Sequence, residues 1–310
     1  MKLNKKIVSI ILHIFLTLVI INVGSFDQGG NLMKTMNKTF TLYNGVKIPK
    51  LGFGTWQIPN GQVCFDSVTS ALKVGYHHID TASAYGNEES VGKAVRDSGI
   101  NRKEIFITTK VPAEIKSYYK AKEIINRSLE LLNCEYIDLL LIHAPKPWSE
   151  MHSSNPQNYD KENVEVWKAM IEAYQEGKVK SIGVSNFEIA DIENLIKQTN
   201  FKPMVNQIRY FVGYTQDELT KYCQANDILV EGYSPLATGR ILKNPEIQKI
   251  AEKYRKSLPQ ICIRYLIQKD VLPLPKSTHA EFIEANSEID FEISDSDMNY
   301  LDNLKDTINN

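Results

Sequence analysis

Cysteine is scarce in this chain of 310 residues: Cys64, Cys134, Cys223 and Cys262 lie far apart, form no Cys-x-x-Cys pair and have no histidine at ligand spacing. That pattern excludes a disulfide framework and a structural zinc motif. The expectation is reduced thiols in a reducing compartment and no metal site. An excess of charge is also missing. With 36 basic and 37 acidic residues the formal net charge is -1, and the lysines and arginines are scattered mostly over helical faces. Neither nucleic acid nor an anionic membrane surface is expected as a partner, because both require a concentrated basic face. A third absence is the G-x-G-x-x-G turn of dinucleotide-binding sheets. The nearest stretch, "GFGTWQ", carries Gln57 where the third glycine would stand, which argues against a doubly wound sheet.

Long hydrophobic runs are confined to one place. Lys2, Lys5 and Lys6 precede an apolar run from Ile7 to Val23, the layout of a signal peptide or short anchor. The run is marginal for a span of about 20 residues. It is interrupted by His13 and Asn22, and only a weak cleavage pattern, Val23-Gly24-Ser25, follows. A third reading makes residues 1–32 an untranslated leader: Met33 and Met36 lie just before the onset of globular patterning, and "QGGNLM" back-translates into codons compatible with a purine-rich ribosome-binding sequence. The leader reading goes with a cytoplasmic protein. The other two go with an exported or membrane-anchored one, and only they would bring a membrane into play.

What the chain does contain is a repeated unit. From Phe40 onward a short β-branched strand is followed by an amphipathic helix, again and again. The strands read as "KLGFG", "HHID", "IFITTK", "IDLLLIH", "KSIGVS", "MVNQI", "ILVEGY" and "VLPLP". Helical stretches between them, such as "NEESVGKAVRDSG" and "KAKEIINRSLELLN", place acids early and end at Gly or Asn. Eight such units in about 250 residues predict a (β/α)8 TIM barrel as one domain over residues 38–305. "FTLYNGVKIPK", with its Asn44-Gly45 turn, predicts an N-terminal β-hairpin cap on the lower end.

Functional residues of such a barrel sit at the C-terminal ends of its strands. In order those ends give Thr55-Trp56, Asp80 with Tyr85, Lys110, His143, Ser185-Asn186, Asn206-Gln207, Tyr233-Ser234 and Lys276-Ser277. Every one can hydrogen-bond, ionise or stack, so the upper face reads as a site.

These residues resemble the aldo-keto reductases from about Phe40 to Leu304, in particular the bacterial branch that includes diketogluconate and glyoxal-type reductases. The motifs are "GFGTW", "IDTASAYGNE", "TTK", "LIHAP", "GVSNF", "NQI", "YSPL" and "PKS", in family order and spacing. The resemblance implies an NAD(P)H-dependent oxidoreductase that reduces small aldehydes, ketoaldehydes or keto-sugars and prefers NADPH with NADH also usable; the alternative is a cofactor-binding, non-catalytic barrel subunit of a membrane complex, and a monomer is expected. The resemblance implies Tyr85 as proton donor, supported by Lys110, Asp80 and His143. A phenol of pKa about 10 is a weak acid, and a neighbouring ammonium should bring it toward neutrality while the carboxylate keeps that lysine charged. His143 would also orient the substrate, with Trp56 and Trp148 as apolar contacts.

The same resemblance implies that Ser185, Asn186 and Gln207 hold the nicotinamide carboxamide and that Tyr233 stacks on the ring. Thr55, Ser234 and Leu236 would complete that end. Lys276, Ser277, Thr278 and Asn286 would grip the pyrophosphate and adenosine. Two departures stand out. Ala144 follows His143 where relatives often carry Trp, which should widen the pocket mouth, and Phe282 stands where an Arg usually meets the 2′-phosphate. The long polar segment from Pro145 to Lys161 is suited to a substrate lid.

Overall fold

The computed structural model describes residues 34–151, 153–155 and 157–308. The three readings of residues 1–32 lie outside them. Two short antiparallel strands come first, β1 (Thr39–Thr41) and β2 (Lys47–Pro49), paired with Phe40 opposite Ile48. Eight parallel strands follow: β3 (Phe53–Gly54), β4 (His78–Asp80), β5 (Phe106–Val111), β6 (Leu139–Ile142), β7 (Ile182–Ser185), β8 (Val205–Arg209), β9 (Leu229–Tyr233) and β10 (Val271–Leu274). Each pairs with its sequence neighbour. Backbone bonds from Gly52 N to Pro273 O (3.1 Å) and from Gly54 N to Pro275 O (2.9 Å) join the first strand to the last and close the barrel.

Between the strands run α1 (Gln62–Lys73), α2 (Glu88–Asp97), α3 (Tyr118–Leu132), α4 (Asp160–Gln175), α5 (Ile189–Thr199) and α6 (Asp217–Ala225). Local chemistry sets their ends. Glu88 and Glu89 open α2 where the helix dipole favours acids, and α3 stops at Asn133 in the left-handed region (φ 48°). Two further helices, α7 (Pro245–Tyr254) and α8 (Leu258–Gln268), separate β9 from β10. The second begins with a capping box between Ser257 and Gln260. After the barrel come α9 (Ala280–Ala285) and α10 (Asp295–Asn303).

The strands are buried on both faces, as a barrel inside a ring of helices requires. Ile137, Leu140, Ile142, Val184 and Ile208 belong to the larger core, shared with the helices. A second apolar cluster joins Leu42 and Ile48 of the hairpin region to Leu139, Leu141, Val205, Leu272 and Leu274 of the strands, so the hairpin covers the lower end as its sequence suggested. Above that plug the interior turns polar. His78, Asp80, Lys110, Gln207 and Glu231 are all buried there. No helix among the described residues is long and apolar enough to cross a membrane.

Candidate active site

The upper face of the barrel opens into a cavity of about 1050 Å³. It is lined by Trp56, Ala84, Tyr85, His143 and Trp148, by Ser185, Asn186, Gln207 and Tyr233, and by Lys276, Ser277, Phe282 and Asn286. Ser234, Leu236, Thr238, Gly239 and Leu242, from the segment after β9, form another wall.

Asp80 and Lys110 end on neighbouring strands, β4 and β5, and meet inside the barrel. The Lys110 ammonium donates to both oxygens of Asp80 at 2.7 and 2.8 Å and to the carbonyl of Thr81 at 2.8 Å. Its distance to the Tyr85 hydroxyl is 3.5 Å. Burial alone would strip this lysine of its proton. Asp80, together with Tyr85 and Glu231, outweighs burial and holds the ammonium above its ordinary pKa. Tyr85 reaches the same point from the short turn Ser83–Tyr85 beyond β4. Here the electrostatics run against the expectation from sequence. Burial raises the phenol more than Lys110 lowers it, so Tyr85 stays above its ordinary value rather than moving toward neutrality.

His143, just past β6, packs edge-to-face on Tyr85 with ring centroids 5.5 Å apart. Burial, and then Lys110, push its pKa down to about 3, so the imidazole is neutral and carries one N–H. The expected gap beside it is filled. Ala144 is fully buried and does not line this cavity, while Trp148 from the long loop sets its indole edge-to-face on His143 at 5.2 Å. Lys116 ties the root of that loop, donating to Pro145 O at 3.0 Å and Asn163 Oδ1 at 2.7 Å. Sequence reading had missed this anchor, because a lysine between helix and strand looks like any surface charge.

Next to the tetrad the polar groups interlock. Tyr233 OH donates to Asn186 Oδ1 (2.8 Å), Asn186 Nδ2 donates to His143 O (3.1 Å), and Ser185 Oγ donates to Gln207 O (2.8 Å). Asn186 and Ser234 adopt left-handed backbone (φ 59° and 51°), which folds the chain sharply over the strand ends. Two expected contacts are not brought to the wall. Thr55 is buried with its hydroxyl bonded to Asp80 O, and Thr278 is exposed outside the cavity lining. Glu231 is the residue that went unnoticed. It is fully buried on β9, accepts from Gln207 Nε2 at 2.8 Å, and is pushed up to about 8 by burial and then by Asp80. An acid inside an otherwise apolar strand, "ILVEGY", was the signal.

A model of the Aldo/keto reductase family matches residues 50–306. The chain belongs to the aldo/keto reductase family. It is 40% identical over 271 residues to the glyoxal reductase of Bacillus subtilis (strain 168), covering 87% of this chain and 94% of that one. It is 39% identical over 270 residues to the 9,11-endoperoxide prostaglandin H2 reductase of Trypanosoma cruzi (strain CL Brener), covering 86% and 91%. Among solved structures, the aldo/keto reductase from Brucella melitensis superposes with a TM-score of 0.79 at 41% identity, covering 86% of this chain and 98% of that one. The Bombyx mori aldo-keto reductase in complex with NADP gives 0.78 at 31% identity, covering 87% and 93%. As an aldo/keto reductase the chain is an oxidoreductase that acts on carbonyl and alcohol groups. The kinship with the glyoxal reductase-like branch, read from the motifs, is borne out.

Proposed function

We propose that this aldo/keto reductase reduces small aldehydes, ketoaldehydes or keto-sugars to alcohols, with Tyr85 as proton donor. The observation that carries this reading is the convergence of Tyr85, Lys110, Asp80 and His143 beside a cavity that Lys276 and Asn286 also line.

NADPH is the cofactor we assign, with NADH as a weaker substitute, and a relative in complex with NADP supports it. The residues present fit such a group. Gln207 lines the cavity with both amide hydrogens already committed to carboxylates, which leaves its carbonyl oxygen for the N–H of a carboxamide. Asn186 and Ser185 stand beside it, Tyr233 presents a flat ring, and Lys276, Ser277 and Asn286 line the phosphate and adenine end. When bound, the reduced nicotinamide supplies the hydride.

The protein's share is orientation and a proton. His143, neutral and with a single N–H, points a carbonyl oxygen toward Tyr85. Tyr85 gives its phenolic proton to that oxygen as negative charge develops. Lys110 stabilises the tyrosinate left behind, and Asp80 keeps Lys110 charged. Trp56 and Trp148 exclude water on the open side. We place this chemistry in the cytoplasm, because it draws on a reduced nicotinamide pool, and assign it to a monomer. The test is the loss of NADPH absorbance with glyoxal, methylglyoxal and keto-sugars as substrates. No turnover with any of them, in protein that binds NADPH, would refute the proposal.

A further inference from the structure

Beneath the tetrad lies a second carboxyl group that the reaction above does not use. The register of β8 against β9 sets Gln207 directly opposite Glu231. One amide nitrogen, Gln207 Nε2, donates to Glu231 Oε2 at 2.8 Å and to Asp80 Oδ2 at 2.8 Å. An amide nitrogen has two hydrogens, so both are spent. With this one nitrogen bonded to both carboxyl groups, the carbonyl oxygen is turned away from them, to the cavity that Gln207 lines.

We propose that Glu231 is a positioning residue for carbonyl reduction, acting through Gln207 to fix the group offered to the nicotinamide and through Lys110 to set the acidity of Tyr85. The proposal rests on the carbonyl-reductase reading above. Glu231 is fully buried and does not line the cavity.

Its second effect follows from charge. The titratable groups facing Glu231 are Asp80 and His78 from β4 and Lys110 from β5. Of the flanking strands, β8 offers neutral Gln207 and β10 has Leu272 at the paired position. His78, 3.9 Å away, is neutral, since burial holds it near 3. Burial and Asp80 raise Glu231 itself to about 8, so it carries its proton at neutral pH and loses it in mild alkali. The anion then favours the Lys110 ammonium and opposes formation of tyrosinate. Tyr85 consequently keeps its proton to higher pH than it would beside a neutral residue.

The test compares the full-length wild type with Glu231→Leu and Glu231→Gln in three measurements: melting temperature, NADPH affinity by fluorescence quenching, and the pH dependence of kcat. Leucine removes a buried carboxyl group and also leaves one buried Gln207 N–H without its acceptor, so Glu231→Leu should melt at or below the wild-type temperature. It should bind NADPH about tenfold or more weakly, because Gln207 loses the partner that orients it. Glu231→Gln restores an acceptor and should recover that affinity. In both variants the alkaline midpoint of kcat should move down by about one pH unit, the effect of one charge at this range in a protein interior. Unchanged affinity and midpoint in both variants would overturn the proposal. A lowered melting temperature in Glu231→Leu with no movement of the midpoint would reduce Glu231 to a structural role. If Glu231→Leu does not fold, the midpoint of Glu231→Gln decides. Failure of wild type to reduce any aldehyde would sink the functional reading instead, and NADPH affinity would still judge whether Glu231 orients Gln207.

Discussion

The ammonium of Lys110 stands 3.5 Å from the phenolic oxygen of Tyr85. It is fully buried, and both oxygens of the Asp80 carboxylate accept from it. A cation held so close to a phenol stabilises the tyrosinate that forms when the proton leaves. Burial keeps that proton on the phenol beforehand.

Tyr85→Phe should therefore lower kcat for aldehyde reduction by about 10²- to 10⁴-fold, the usual worth of a positioned acid. NADPH affinity should stay near wild type, since only the hydroxyl is lost. Steady-state kinetics with a fluorescence titration checks both, and a variant keeping more than about a tenth of kcat would exclude Tyr85 as the donor.

Lys110→Met should cost stability as well as rate. It leaves Asp80 buried without its cation, a loss of about 3–5 kcal/mol in pairs of this kind. Adding Asp80→Asn should return most of the stability and none of the activity. Urea unfolding of the single and double variants separates the two effects, which a purely structural ion pair would not do.

Phe282 lines the cavity, is more than half exposed and brings no charge to the position where the family resemblance would set an Arg against the 2′-phosphate. Preference for NADPH over NADH should be modest. Phe282→Arg should raise the NADPH/NADH ratio of kcat/KM by about ten- to a hundredfold through one charge-assisted contact. An unchanged ratio would place the phosphate elsewhere.

Gly92 on α2 lies under the end of α3, where a Cβ would meet the carbonyl oxygen of Leu132 at 2.1 Å. That contact is backbone and cannot swing aside. Gly92→Ala should destabilise the barrel by about 1–3 kcal/mol, the range for overpacked sites. Kinetic constants measured on the folded fraction should hardly change. A variant as stable as wild type would mean that the two helices can move apart freely.

His78 and His143 are both held near 3 by burial and then by Lys110. The native state refuses protons that the unfolded chain accepts below about pH 6.5, so protonation favours unfolding. Each histidine should make stability fall by up to about 1.4 kcal/mol per unit as pH drops from 6.5 toward 3. Replacing His78 with Gln should flatten that slope in urea titrations, and an unaltered slope would refute the assignment.

Much of this molecule was legible in one dimension because the barrel obeys local rules. Alternating β-branched strands and acid-first helices repeat around it, and all parallel strand ends open on one face, so reading the ends in order located Asp80, Lys110, His143, Gln207 and Tyr233. The sequence by itself determined the order of the strand ends and most of the side chains that line the cavity, though not Thr55 or Thr278, which stay off its wall. Distances and dielectric needed the third dimension. Burial of Tyr85 outweighs its cation, an effect set by the packing around it and not by its neighbours in sequence. Trp148 comes back over His143 along a loop whose path is anchored by Lys116, so an aromatic wall exists despite Ala144. Glu231 meets Gln207 and, through it, Asp80 because β8 and β9 align in one register across the barrel interior. Gln207 and Asp80 stand on strands that do not pair, so only closure of the barrel brings them to hydrogen-bonding distance.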